Sequence, residues 1–339
     1  MERIWIAGPC AAETREQVLE TARQLVEQSR IASLKLNYYR AGAWKVRSVP
    51  DSFTGAGEAA LSWLEEVQQT WQVPVCVEVM NARQVELCAR HGIQAVWVGA
   101  RTAVNPTEVQ QIADAVRHSS FTVMVKNPII PDLKLWIGNI ERFLKADVRQ
   151  VMAVHRGFPD AQENVYRNAA LWQIPIGLKV RMPELPILCD PSHLCGNVKW
   201  IPQVAQLSMN YGFNGLMAEC HHNPSKALSD AEQQMTPAQW ATMIANLDLR
   251  TEAADLDLVK QRSLMENIDN QLSELLYRRM KLVDEIADIK KAKHIAVVQP
   301  KQWQQVVERY QQHPEDTAYQ EFISKFLNLL HQSSIERQR

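Results

Sequence analysis

The stretch Val73–Gly99, VPVCVEVMNARQVELCARHGIQAVWVG, decides the fold. An apolar run over Val73–Val79 gives way to a segment with helical apolar spacing, Ala82–His91, and then to a second apolar run, Ala95–Gly99. Strand, helix and strand in so short a span make a βα unit with parallel strands. Both runs are apolar almost throughout, the pattern of strands covered on two faces. The same rhythm extends in both directions. β-rich runs occur at Ile4–Gly8, Ser33–Tyr38, Thr122–Lys126, Gln150–His155, Pro186–Cys189 and Gly215–Glu219, with helix-like segments at Arg15–Arg30, Gly57–Thr70 and Pro106–His118. Eight such strands within about 245 residues fit an α/β fold, the closed (β/α)8 or TIM barrel. An open, doubly wound sheet is the rival, but no glycine-rich dinucleotide or phosphate-loop fingerprint follows any of these strands. The barrel is expected over residues 1–247.

The rhythm stops near Leu247. After a linker over residues 248–256, residues 257–339 carry no strand signal and predict an all-α second domain. Apolar residues recur helically at Leu264, Ile268, Leu272, Leu275, Leu276, Leu282, Val283, Ile286 and Ile289, which predicts one helix of some 35 residues. Two shorter helices are expected near Pro300–Gln311 and Asp316–Gln338. So few residues cannot wrap so long a helix, and pairing with a second copy supplies the missing core.

Composition narrows the function. Apolar residues make up 46% and charged residues 22% of the 339, which excludes wholesale disorder. The 37 basic and 38 acidic residues leave a net charge of −1, so no global field favours nucleic acid or an anionic membrane. The start, MERIWIAGPC, lacks a signal-peptide layout and no run of 18 apolar residues occurs, so a cytoplasmic protein is expected. The six cysteines show no CxxC spacing, and a chain of this size needs no disulfides.

In a barrel, chemistry gathers where strands end and the βα loops begin. Those ends read AGPC, YYRAGAWKVRS, VEV, VGART, VKNP, HRG, CDPSH and AEC. Arg40, Lys45, Arg47, Arg101, Lys126 and Arg156 form a ring of cations, which points to a substrate with several anionic groups, phosphate and carboxylate foremost. Cys10, His193, Glu219 and Asp230 offer one soft, one imidazole and two carboxylate donors, a set suited to a divalent ion of the Mn, Fe, Co or Zn class and a poor cage for Mg. Alternation puts Glu219 and His221 on one face and turns Cys220 away. Spacing alone leaves open a plainer reading, a buried thiol, a surface imidazole and two ordinary acids, because no two of the four sit at a recognised ligand spacing.

Seven motifs, AGPC, RAGAWKVRS, GART, VKNP, HRG, DPSH and GLMAECHHNPSKALSDAEQ, occur in this order and resemble the type I, β-subfamily 3-deoxy-D-arabino-heptulosonate 7-phosphate synthases over nearly all of residues 1–245. The resemblance implies a metal-dependent barrel that condenses phosphoenolpyruvate with erythrose 4-phosphate. It implies that Cys10, His193, Glu219 and Asp230 are the metal ligands. It further implies that Arg40, Lys45, Arg101, Lys126 and Arg156 contact phosphoenolpyruvate, and that Arg47 and Ser48 hold the aldose phosphate. In the implied reaction the ion acts on the aldehyde oxygen, C3 of phosphoenolpyruvate attacks, water adds at C2 and phosphate leaves. Lys126 is the expected proton donor or acceptor, and His193 doubles as ligand and orienter. The usual Lys-Pro-Arg-Thr reads Lys45-Val46-Arg47-Ser48, which removes a stiffening proline and keeps the charges. Other members of the superfamily use arabinose 5-phosphate or an N-acyl mannosamine. The Arg47-Ser48 pair, and the absence of an Asn after Lys45, favour erythrose 4-phosphate.

On the long helix, Arg279 and Lys290 lie on nearly one face, about 16 Å apart, so their long side chains can share a small dianion. Arg262 lies about 25 Å from Arg279 and at least a quarter-turn round, so it reaches the same ligand only from a partner chain. A solvated basic face is the plain alternative. RSLMENIDNQLSELLYRRMKLVDEIADIKKAK, with Ser334 and Gln338 near the C-terminus, resembles the all-helical class of chorismate mutase over about residues 256–339. The resemblance implies an intertwined homodimer that binds chorismate through Arg262 from the partner and Arg279, Lys290, Ser334 and Gln338. The site would hold the pseudo-diaxial conformer while Lys290 and Gln338 stabilise charge on the ether oxygen, giving prephenate. One departure stands out: Gln299-Pro300-Lys301-Gln302-Trp303 replaces Asp-x-x-Arg-Glu, so Trp303 stands where the family has a Glu on the substrate hydroxyl. A bifunctional enzyme of aromatic amino-acid synthesis is expected, with feedback by prephenate or chorismate through the helical domain. The alternative is a synthase barrel carrying a non-catalytic, mutase-like sensor and dimerisation module.

Overall fold

The computed structural model describes residues 3–45, 53–159, 165–249, 256–310 and 317–338. The chain runs β1 (Ile4–Gly8), α1 (Arg15–Ile31), β2 (Tyr38–Ala41), α2 (Ala59–Trp71), β3 (Val75–Val79), α3 (Ala82–Arg90), β4 (Ala95–Val98), α4 (Pro106–Ala115), β5 (Thr122–Lys126), α5 (Leu133–Lys145) and β6 (Gln150–His155). A short antiparallel ribbon, β7 (Phe158–Pro159) with β8 (Asn168–Ala169), then interrupts the alternation. After it come α6 (Gln173–Arg181), β9 (Ile187–Cys189), α7 (Pro191–Cys195), α8 (Ile201–Asn210), β10 (Gly215–Glu219) and α9 (Pro237–Ala245). Among the described residues, eight parallel strands close in the order β1-β10-β9-β6-β5-β4-β3-β2, with β2 returning to β1. The second strand starts at Tyr38, not Ser33. Ser33 takes a φ of 54° at the end of α1, and Asn37 turns its side-chain oxygen to the Trp5 amide, so these residues turn the chain before pairing begins.

Side chains alternate across each strand, and this alternation builds the site. Ile6, Cys76, Trp97, Met124, Met152, Val154, Leu188 and Met217 fill the barrel, whereas Trp5, Val77, Val96, Val123, Val151 and Leu216 face the helices. The next inward position along several strands is charged: Glu78 after Cys76, Lys126 after Met124, Arg156 after Val154, Asp190 after Leu188 and Glu219 after Met217. A dry apolar plug thus forms the floor beneath a charged layer at the C-terminal mouth. Side-chain caps at Thr14, Asn81, Asn105, Asp132, Asp190 and Thr236 start the helices that follow. All six cysteines are free and buried.

The chain divides into two compact units, Met1–Glu252 and Ala253–Arg339. The second is helical: α10 (Leu256–Ala292), α11 (Pro300–Tyr310) and α12 (Thr317–Arg337). Val283, Leu327 and Ser334 are buried where α10 and α12 pack. Ile268, Leu272, Leu275, Leu282, Ile286 and Ile289 recur at steps of three, four and seven along α10, yet they are exposed. No helix among the described residues is long and apolar enough to cross a membrane.

Candidate active sites

Arg40, on β2, lies at the centre of the barrel mouth and has no exposed surface. Its guanidinium sits over the Trp97 indole, 4.8 Å from the centroid, and its Nη2 donates to Glu219 Oε1 at 3.0 Å. Its Nη1 stands 3.8 Å from Asp190 Oδ2, while Nε and Nη1 have no hydrogen-bond acceptor among the described residues. Lys126 Nζ donates to Asp190 Oδ2 at 2.6 Å. His193 Nδ1 approaches the same oxygen at 2.8 Å, and its Nε2 lies 3.6 Å from Glu219 Oε1. Asp190 Oδ1 accepts the His193 amide at 3.0 Å, so the residue that caps α7 also holds the cations.

Burial works against the charges of Arg40, Lys126, Asp190, His193 and Glu219. It resists ionisation of Asp190, but His193, Lys126 and Arg40 outweigh it and hold the carboxyl well below its usual range. Burial opposes Glu219 likewise, and His193, Arg40 and Lys45 lower it. For His193 and Lys126 burial prevails and moves both below their ordinary values, despite the attraction of Asp190. The result is a compensated lattice with donors to spare on Arg40, suited to receive an anion.

The four expected metal donors come to this mouth as two pairs. Cys10 Sγ donates to Asp230 Oδ2 at 3.2 Å, and His193 lies beside Glu219. Gln233 joins the pairs: its Nε2 donates to Glu219 Oε2 at 2.6 Å, and its Oε1 accepts from Arg167 Nη1 at 2.9 Å. Arg167 Nη1 in turn donates to Asp230 Oδ1 at 2.9 Å. A single cluster of three or more such donors is not formed among the described residues. Arg40, Gln233 and Arg167 engage the carboxylate oxygens of the two pairs. The donor chemistry nonetheless fits a divalent ion, with a thiol and an imidazole each set against a carboxylate. The groups also sense one another. Burial, then Glu219, pushes the Cys10 thiol up to about 12, while against burial Arg167, Cys10 and then His193 hold Asp230 low. Asp230 adopts a φ of 49°, an unusual conformation for a side-chain-bearing residue.

The remaining expectations divide. Arg156 donates its amide to Asn127 Oδ1 at 2.7 Å and Nη1 to Asn168 Oδ1 at 3.1 Å, and Asn168 Nδ2 donates to the His193 carbonyl at 2.7 Å. The expected anion binder is thereby tied to the expected ligand. Lys45 is half-buried, and a Cβ on Gly42 would come within 2.6 Å of its Cε, so that glycine makes room for it. Arg101 is exposed rather than part of the buried layer. Arg47 and Ser48 lie outside the described residues. His221 lies two residues beyond the end of β10. Its imidazole stands 3.8 Å from Glu13 and stacks on His222. Cys220 faces the outer core as expected. Sequence reasoning passed over Asp190, Trp97, Gln233 and Arg167. Asp190 was findable, two residues beyond the inward Leu188; Gln233 and Arg167 come from irregular segments without such a register.

In the helical unit, Arg279 Nη1 donates to Ser334 Oγ at 2.8 Å. Lys290 Nζ donates to Gln338 Oε1 at 3.2 Å and to the Val297 carbonyl at 2.7 Å. Four of the five expected mutase residues thus form two pairs within one unit. Arg262 is exposed, about 25 Å along α10 from Arg279. Trp303 stacks on His331.

The family model described as the DAHP synthetase I family matches residues 2–254, and that described as chorismate mutase type II matches residues 261–339. A phospho-2-dehydro-3-deoxyheptonate aldolase of Thermotoga maritima is 28% identical over 230 residues, which are 68% of this chain and 64% of that protein. This chain thus spans less than two-thirds of that relative. A 2-dehydro-3-deoxyphosphooctonate aldolase of an Azoarcus species is 26% identical over 275 residues, 77% of this chain and 93% of its own. The crystal structure of a Thermotoga maritima phospho-2-dehydro-3-deoxyheptonate aldolase (DAHP synthase) superposes with a TM-score of 0.62 at 26% identity, covering 72% of this chain and 67% of the other. A truncated 3-deoxy-D-arabino-heptulosonate 7-phosphate synthase from the same organism gives 0.59 at 24% identity, a likeness of fold, over 72% and 84% of the two chains. A closed barrel with this charged mouth, matched over residues 2–254, places the chain in the DAHP synthetase I family.

Proposed function

We propose that the chain is a cytoplasmic enzyme with two activities: condensation of phosphoenolpyruvate with erythrose 4-phosphate in the barrel, and rearrangement of chorismate to prephenate in the helical unit. The observation that carries the first is Arg40, sealed from solvent among Glu219, Asp190 and Trp97 with two nitrogens that donate to no acceptor among the described residues. Buried donors without acceptors are expensive unless a ligand completes them. The carboxylate and phosphate of phosphoenolpyruvate suit Arg40, Lys126, Arg156 and Lys45, with Arg101 at the exposed rim and Arg47 and Ser48 taking the aldose phosphate.

Cys10, His193, Glu219 and Asp230 would hold a divalent ion of the Mn, Fe, Co or Zn class, which supplies Lewis acidity toward an aldehyde oxygen when bound. Lys126 is placed for proton transfer. Burial depresses its ammonium, Asp190 accepts from it at 2.6 Å, and the pair can release or recover a proton without leaving the site. The Asp190–His193 contact fixes the imidazole ring. The relatives include aldolases named for an octonate product as well as a heptonate product, so the aldose is the point to test. Phosphate release from phosphoenolpyruvate should require erythrose 4-phosphate and be lost to a chelator. Equal or faster release with arabinose 5-phosphate overturns the substrate assignment, and release indifferent to the chelator overturns the ion.

For the helical unit, Arg279, Lys290, Ser334 and Gln338 supply the dicarboxylate and ether contacts, and Arg262 of a partner subunit completes them. The exposed heptad-spaced seam on α10 supports a homodimer, since such a stripe is left bare only where another helix covers it. Prephenate or chorismate bound there would regulate the barrel, and synthase rates unchanged at millimolar prephenate remove that part. Trp303 favours a second reading, a sensor that binds prephenate without turning chorismate over. Chorismate turnover by the full chain decides between them.

A further inference from the structure

The face of α12 that bears Ser334 and Gln338 bears a third side chain one turn earlier, His331, on the i, i+3, i+7 stripe of a single helix face. Its imidazole lies flat on the indole of Trp303 from α11, with centroids 3.9 Å apart and planes 8° from parallel. Both residues are half-buried, so one ring face is spent on the stack while the ring edges stay accessible. Burial, and then the neighbouring charges of Arg279 and Lys290, push the imidazole below its usual range and keep it neutral. A neutral imidazole has one donor and one acceptor nitrogen; Arg and Lys have donors alone.

The polar groups around it are already committed. Ser334 Oγ accepts from Arg279 and donates to the Leu330 carbonyl, and Gln338 Oε1 accepts from Lys290. Chorismate presents two carboxylates and an ether oxygen, which match these cations, and one ring hydroxyl, which needs an acceptor. We propose that His331 is the specificity-determining contact for the ring hydroxyl of the dicarboxylate bound in the helical site, and that Trp303 is a positioning residue acting through it. This inference rests on the mutase reading. The indole prevents the imidazole from turning away, so the hydroxyl meets an oriented acceptor rather than a mobile one.

The test uses the full chain and two substrates, chorismate and chorismate with its ring hydroxyl replaced by hydrogen. His331→Ala should lower kcat/KM for chorismate about tenfold, the value of one neutral hydrogen bond, and leave the deoxy substrate unchanged. His331→Asn should recover part of the loss, Trp303→Phe should keep the contact, and Trp303→Ala should reproduce part of the His331→Ala defect. Equal losses on both substrates, or no loss on either, overturn the proposal, and far-ultraviolet circular dichroism checks that the variants are folded. If the unmodified chain does not turn chorismate over, the mutase reading fails by itself. Calorimetric binding of prephenate then tests the contact: about tenfold weaker binding by His331→Ala sustains it, and equal affinity refutes it.

Discussion

Asp190→Asn is the most informative single perturbation of the barrel. The carboxylate is fully buried, accepts from Lys126 at 2.6 Å, lies 2.8 Å from His193 Nδ1 and stands 3.8 Å from Arg40. Asparagine keeps an oxygen for the His193 amide, so the α7 cap, worth about 1 kcal/mol, survives. What disappears is the charge, which leaves Lys126 and Arg40 as buried cations short of a counter-ion. Breaking a buried pair in this way costs about 3 to 5 kcal/mol. At roughly 2 to 4 °C per kcal/mol for a barrel of this size, the transition should fall by about 6 to 20 °C. Tryptophan fluorescence follows the barrel selectively, since nine of the ten tryptophans precede Leu247. The mechanism makes a second demand: adding Lys126→Met should return part of the lost stability, because the orphaned cation is then removed. A single substitution costing under about 1 kcal/mol, the value of a surface pair, would refute the reasoning. So would a double variant whose loss is the plain sum of the two single losses.

Two further outcomes follow from other parts of the molecule. Mixing refolded Arg262→Ala and Lys290→Ala chains, each inactive alone, should restore about a quarter of the native chorismate sites, because a mixed dimer rebuilds one site of its two; no recovery on mixing removes the shared site. His155 is buried beside Trp172, Phe158, Phe213 and Trp136, and burial lowers its pKa from 6.5 to about 3. The unfolded chain takes up a proton below pH 6.5 and the folded one does not until about 3. Stability should therefore fall with pH across that window, by about 2 kcal/mol at pH 5. His155→Gln should flatten this slope in urea titrations at pH 7.5 and pH 5, and parallel slopes in the two proteins count against it.

How much of this was legible beforehand depends on where periodicity ends. The strands and helices could be read because each covers an apolar face with its own repeat, and two-residue alternation carried Lys126, Arg156 and Glu219 to the barrel mouth. The same rule, applied one step past Leu188, reaches Asp190, which the search for cations and ligands overlooked because a lone acid beside Pro191 and Ser192 reads as a helix cap. It is one, and it also neutralises Lys126 and Arg40. At His221 alternation carries no weight, since it holds only while the strand lasts, and β10 ends two residues earlier. Gln233 and Arg167 were beyond reach for a different reason. Their places depend on where two irregular segments cross, one after β10 and one before α6, and no local pattern fixes that crossing. Yet these two residues decide how Glu219 and Asp230 are held, so the part of the site hidden from the sequence governs how closely its donors approach. In the helical unit the limit lies elsewhere. The fixed rise of a helix puts Arg262 about 25 Å from Arg279, so if it shares a ligand with Arg279 and Lys290 it does so from a second chain. The Trp303–His331 stack joins two helices across an irregular connection, and helical periodicity within either one says nothing about that meeting.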